Sequence, residues 1–112
     1  MGKIEQPSEW FTRVLPETVG EHPEKIGDFA GTLLFNITGD AGGVWSVSFA
    51  DGSVVVQDGD DGAAKFTIKM KDKNFVKMMN GDISGATAFM SGKLKFRGDV
   101  SKAIKLRGLL FS

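Results

Sequence analysis

The sequence has no cysteine, no tyrosine and a single histidine. Without thiols, disulfide frameworks, thiolate metal sites and cysteine nucleophiles are excluded. With His22 alone, no catalytic arrangement that needs a second histidine can be built. His22 precedes Pro23 in an expected loop, where a solvated side chain is the ordinary state. No apolar run approaches the roughly 20 residues of a membrane span. Met1 to Trp10 lacks the apolar core of a signal peptide. The ending Leu109-Leu110-Phe111-Ser112 is neither a peroxisomal nor a reticulum-retention signal. A soluble cytoplasmic protein is therefore expected. An excess of one charge is also lacking, because 14 Lys and Arg balance 14 Asp and Glu. That balance argues against nucleic acid as the main partner, since phosphate binding rests on surplus positive charge.

The 112 residues fit one domain, residues 1–112, large enough to bury a core without staples. Glycine is abundant at 15 residues, about twice the usual fraction. Most of these glycines punctuate periodic segments and read as turns. The first thirty residues read as helical. Ser8 is placed to cap a helix through Trp10, Phe11, Val14 and Leu15, which Pro16 ends or interrupts. A second helical stretch opens at His22-Pro23, carries Ile26, Phe29 and Ala30 at i, i+3, i+4 spacing, and closes at Gly31.

Strands follow. Thr32 to Thr38 alternates with Leu33, Phe35 and Ile37 on one face, and Val44 to Ala50 with Trp45, Val47 and Phe49. Asp51-Gly52 is a strong two-residue hairpin signal leading to a strand over Ser53 to Gln57. Ala64 to Met70 sets Phe66, Ile68 and Met70 against Lys65, Thr67 and Lys69, so one face is buried and the other wet. The period then becomes helical. Asp72 is expected to cap a helix with Phe75, Val76 and Met79 that stops at Asn80-Gly81, and Ser84 a short helix with Phe89 and Met90. Lys93 to Arg97 is a fifth strand with Leu94 and Phe96 inward, and Asp99 opens a last helix through Ala103, Ile104 and Leu106. The pattern predicts an α+β fold: a five-stranded sheet with helices covering one face. Its other face carries Lys65, Lys69, Lys93, Lys95 and Arg97.

Several candidate chemistries fail on spacing. The acidic loop Asp58 to Asp61 hints at calcium, but the twelfth position of an EF-hand loop, which must be glutamate, is Lys69. Gly92-Lys93 is not a phosphate loop, because Thr87 stands where a glycine is required and Leu94 where a serine or threonine is. No carboxylate pair suited to acid–base work stands out. No enzyme, metal or cofactor is expected.

The segment from Phe66 onward resembles the sterol-carrier-protein family, the non-specific lipid-transfer domain of the thiolase-linked type. The resemblance is carried by the strand Phe66-Thr67-Ile68-Lys69-Met70, by Asp72 with Asn74-Phe75, and by Met79-Asn80-Gly81-Asp82. It continues through Ala88-Phe89-Met90-Ser91-Gly92-Lys93-Leu94-Lys95-Phe96-Arg97-Gly98-Asp99 and Ala103-Ile104-Lys105-Leu106. The hairpin from Trp45 to Val56 is similar to the family's second and third strands. The resemblance implies an apolar tunnel between sheet and helices. It also implies non-catalytic binding, transfer or presentation of lipid: fatty acids, fatty acyl-CoA, sterols or isoprenoid-like lipids.

The candidate ligand-binding residues combine two sheet positions, Phe35 and Trp45, with Phe75, Met78, Met79, Ile83, Phe89 and Met90 in the following helical region. Ile104, Leu109, Leu110 and Phe111 complete the set, the last three as a tail that either packs as core or closes one end of the site. Flexible, polarizable methionine suits a pocket that accepts several shapes, but it is equally ordinary core filler. Two readings stay open. One is a lipid carrier, a monomer or weak homodimer in transient contact with anionic membrane through the basic sheet face. The other is a protein-interaction or dimerisation module of the same fold with a filled core.

Overall fold

A computed structural model describes residues 3–98, 101, 104–106 and 109. Helical structure comes first: α1 (Pro7–Glu9), a π-helical turn (Trp10–Val14) and α2 (Leu15–Glu21). Pro16 does not end this run. A proline in a helix lacks its N–H and meets the carbonyl four residues back. Here the preceding turn widens, Leu15 N–H donating to Trp10 O five residues back, and the chain passes the proline in register.

The second expected helix is not formed. Pro23–Lys25 makes a single 3-10 turn, and the chain then turns through residues 26–28. Ile26 and Phe29 are nevertheless buried, so their spacing reported burial rather than helix. Gly31 opens a strand instead of closing a helix, at φ +148°, a conformation that side chains disfavour.

Five strands follow: β1 (Gly31–Thr38), β2 (Gly43–Ala50), β3 (Ser53–Asp58), β4 (Phe66–Lys71) and β5 (Leu94–Gly98). They lie in the order β3-β2-β1-β4-β5. Pairing is antiparallel except between β1 and β4, which run parallel with Leu33 opposite Phe66 and Ile37 opposite Met70. The β2–β3 turn has positive φ at both Asp51 and Gly52, the conformation of a two-residue hairpin that matches strand twist. The β3–β4 connection must cross β2 and β1. Ser46, on the outer face of β2, pins it there: its Oγ donates to Gly59 O at 2.6 Å and accepts from Asp61 N at 3.1 Å.

The inner face is covered by the N-terminal helical run, α3 (Asp72–Met79) and α4 (Gly85–Met90). Ser84 Oγ caps α4 by accepting from Thr87 N at 3.0 Å. Asp72 opens α3 in a different way from a side-chain cap within the helix. Its carboxylate accepts from Ala41 N at 3.0 Å and Lys73 N at 2.8 Å, tying the β1–β2 turn to the helix start. Gly39 makes room for it, since a Cβ there would overlap the Asp72 carboxylate. Asn80, just past α3, exchanges two hydrogen bonds with the Ile4 backbone at 2.8 and 2.9 Å and so fastens the N-terminal segment to the helix layer. Of the expected last helix, Asp99 and Ala103 lie outside the described residues. Ile104–Leu106 forms a 3-10 turn, with Leu106 buried.

Candidate functional site

The apolar interior divides into two unlike halves. Over β1 and β2 it is filled by aromatic rings. Phe11 is sandwiched between Trp45, at 4.3 Å between ring centroids and 13° between planes, and Phe75, at 5.5 Å and 9°. Phe35 meets Phe11 edge-on at 5.0 Å, and Trp10 meets Phe75 edge-on at 5.7 Å. All five side chains are buried. Three expected lining residues, Phe35, Trp45 and Phe75, therefore belong to a packed cluster that Trp10 and Phe11 complete. Offset and edge-on pairs of this kind add about 0.5–1.5 kcal/mol each beyond area burial.

Over β4 and β5 the cover is thinner. α4 has only six residues, and its side chains Phe89 and Met90 are 52% and 83% exposed. Phe89 stacks on Phe96 at 5.3 Å and 25°, and Phe96 stacks on Phe66 at 5.4 Å and 30°. These three rings form a row from α4 down the inner face of the edge strand. Gly98 stands opposite Phe66 at φ +106°, where a Cβ would collide with the Lys65 carbonyl. Met79 and Ile83 are half-buried beside the core, whereas Met78 is buried. Leu109 is buried as well. The Ile104 side chain, Leu110 and Phe111 lie outside the described residues.

One recess lies at a sheet end and another beside the filled half. The first, of about 220 Å³, lies at the start of β1 and β4, lined by Phe29, Gly31, Leu33, Ala63, Lys65 and Phe66. The second, of about 400 Å³, opens beside Phe11, Pro16, Trp45, Val54 and Val56. Phe66 and Phe96 were read from the sequence as inward strand residues but not as candidate lining. Their signal was the inward place of both on strands that the structure makes neighbours, where the two rings stack.

Titratable chemistry is sparse. Among the described residues no group of three or more His, Asp or Glu is placed to hold a metal ion. His22 is exposed, with Nδ1 3.0 Å from Glu24 Oε1. The Ala41 and Lys73 amides hold the Asp72 carboxyl below the usual carboxylate range. No helix among the described residues is long and apolar enough to cross a membrane.

A mixed five-stranded sheet with helices on one face and a partly aromatic-filled interior is an α+β architecture. Comparison with known proteins gives the same class. The SCP-2 sterol transfer family matches residues 11–111, and the chain belongs to that family. Hydroxysteroid dehydrogenase-like protein 2 of Danio rerio is 34% identical over 89 residues, covering 79% of this chain and 21% of that protein. Human sterol carrier protein 2 is 32% identical over 110 residues, covering 96% of this chain and 18% of that protein. The chain thus spans about a fifth of the length of these relatives. The solution structure of palmitated SCP2L2 from Aedes aegypti superposes with a TM-score of 0.74 at 20% identity, covering 91% of this chain and 92% of that one. The expected five-stranded α+β fold and lipid-binding class are both shown.

Proposed function

We propose that this domain binds single apolar lipid molecules, fatty acids and fatty acyl chains foremost, between α4 and the β4–β5 half of the sheet, and carries or presents them without catalysis. The observation that carries this reading is the uneven packing. The rings around Phe11 pack face to face and leave only the open recess beside Pro16 and Val54, whereas the Phe66–Phe96–Phe89 row ends in side chains left half in water. A large apolar side chain exposed at the rim of a core is where an acyl chain gains most by replacing water. Met79, Ile83 and Met90 flank this row in sequence and supply adaptable surface. The palmitate carried by the mosquito structure supports an acyl ligand in this fold. The recess at Phe66, about 220 Å³, lies below the usual ligand-pocket range of about 300–1,000 Å³, so a whole acyl chain needs its surroundings to open.

The test is displacement of a fluorescent fatty acid by unlabelled fatty acid, acyl-CoA and sterol. Saturable binding with competition by at least one of them is expected. No saturable signal with any of them overturns the reading. A second reading has its own observation: Phe89 and Met90 also form the kind of exposed apolar patch that meets another protein surface. In that case native mass spectrometry of freshly purified protein shows a lipid-free dimer, whereas a carrier shows a co-purified lipid.

A further inference from the structure

The outer face of the sheet has a second notable feature, where β4 hands over to α3. Lys69, Lys71 and Lys95 occupy outward positions there, and Lys93 immediately precedes β5. The sequence pattern missed Lys71, because β4 runs one residue past Met70. With Thr38, Asn74 and Gly92, the four lysines border a recess of about 250 Å³. All four are exposed, and the described ion pairs, Lys3 with Asp82 and His22 with Glu24, lie elsewhere. Lys69 stands directly opposite Lys95 in the β4–β5 register. Like charges in that position destabilise a sheet.

Asp72 feels the charge of Lys71, but Lys69, Lys93 and Lys95 have no acid among the described ion pairs. Asp72 is turned to the Ala41 and Lys73 amides. Asp60 and Asp61 ride the crossover pinned at Ser46 on β2, two strands away from β4. A recess bordered by four lysines, two of them directly opposed across the strands, is complementary to a phosphate.

We propose that this end of the outer face docks on anionic phospholipid bilayers, the lysine recess seating a headgroup phosphate. The proposal deepens the lipid-carrier reading and rests on it, since a carrier loads and unloads at a membrane. Each lysine near an anionic surface strengthens binding about fivefold. The attraction fades as the Debye length falls from about 30 Å at 0.01 M salt to about 3 Å at 1 M.

The experiment is co-sedimentation of the full chain with vesicles of phosphatidylcholine alone and of phosphatidylcholine mixed with phosphatidylserine, at low and high salt. The chain is expected to sediment only with the phosphatidylserine vesicles and only at low salt. The variant Lys69→Gln, Lys71→Gln, Lys93→Gln, Lys95→Gln loses at least tenfold in binding. The variant Lys3→Gln, Lys25→Gln, Lys73→Gln, Lys77→Gln, of the same net charge, keeps most of it. If the first variant folds poorly, Lys69→Gln alone serves, with an expected fivefold loss. Equal loss in both quadruple variants overturns the proposal, as does sedimentation indifferent to salt or lipid charge. So does a recess that takes up inorganic phosphate, seen in the amide resonances of Lys71, Asn74 and Gly92, while anionic vesicles are ignored. Fatty-acid displacement on the same samples separates the two ideas. The lysine variant is expected to keep it, and vesicle binding without fatty-acid binding counts against the carrier reading alone.

Discussion

Replacing Phe89 by alanine separates a ligand wall from a core side chain. Truncating a fully buried phenylalanine costs about 3–5 kcal/mol of stability. Phe89 has already surrendered 52% of its surface to water, and its one described ring contact is with Phe96. Its truncation is expected to cost about half as much, about 1.5–2.5 kcal/mol. Phe75 is the control: it is fully buried and faces the rings of Trp10, Phe11 and Phe35, so Phe75→Ala belongs at the upper end of the full range. Lipid affinity is expected to behave in the opposite way. An acyl chain laid on the exposed half of the Phe89 ring removes about 60–80 Å² of apolar surface from water. At about 25 cal/mol per Å² that contributes about 1.5–2 kcal/mol, or about ten- to thirty-fold in affinity. Urea unfolding gives the stabilities, and titration with a fluorescent fatty acid gives the affinities. Phe89→Ala with unchanged affinity, or with a stability loss equal to that of Phe75→Ala, refutes the placement of the ligand beside α4.

The bond pattern at Asp72 makes a pH prediction. Its folded pKa is depressed by the Ala41 and Lys73 amides, so its contribution is present above the ordinary carboxylate range and is lost as pH falls through the folded value. Unfolding curves between about pH 7 and pH 3 are therefore expected to be flatter for Asp72→Asn than for the parent. Gly39→Ala, which drives a methyl into the same carboxylate, is expected to lower stability at neutral pH, and an unchanged melting midpoint contradicts the clash. Leu109 is buried, so Leu109→Ala is expected to cost about 2–5 kcal/mol. If the tail also closes the lipid site, the folded variant releases fatty acid faster in stopped flow; an unchanged off-rate leaves Leu109 as core alone.

The strands were legible because alternation reports burial directly. Phe66, Ile68 and Met70 are buried and Lys69 exposed, as their spacing required. Ser84 capping α4 and the Asp51-Gly52 hairpin were equally local, each decided by the chemistry of two or three neighbouring residues. The failures came where distant contacts chose between local options. Ile26 and Phe29 sit at helical spacing, yet both are buried without a helix, Phe29 against Phe49 of the sheet. Pro16 was read as ending or interrupting the helix; the run is interrupted by a widened turn but does not end, and a widened turn leaves no sign in composition. The site was less legible than the fold. Phe35, Trp45, Phe75 and Phe89 are all large apolar residues of the inner layer. Only the position of Phe11, inserted from the N-terminal helical run, divides the filled half from the open one.

The parallel pairing of β1 with β4 has a consequence for the chain as it is made. β1, β2 and β3 form a meander from neighbouring sequence, but the partner for the other side of β1 arrives only with Phe66, opposite Leu33. At about 5–20 residues per second a ribosome takes seconds to supply that stretch. During those seconds β1 offers an open edge whose outward residues, Thr32, Leu34, Asn36 and Thr38, carry no charge to repel a neighbouring chain. The finished edge at β5, by contrast, bears Lys95 and Arg97. Nascent chains halted after β3 should therefore aggregate more readily than chains that have completed β4. The charged strand that faces solvent in the mature sheet protects an edge that exists only once β5 has been made.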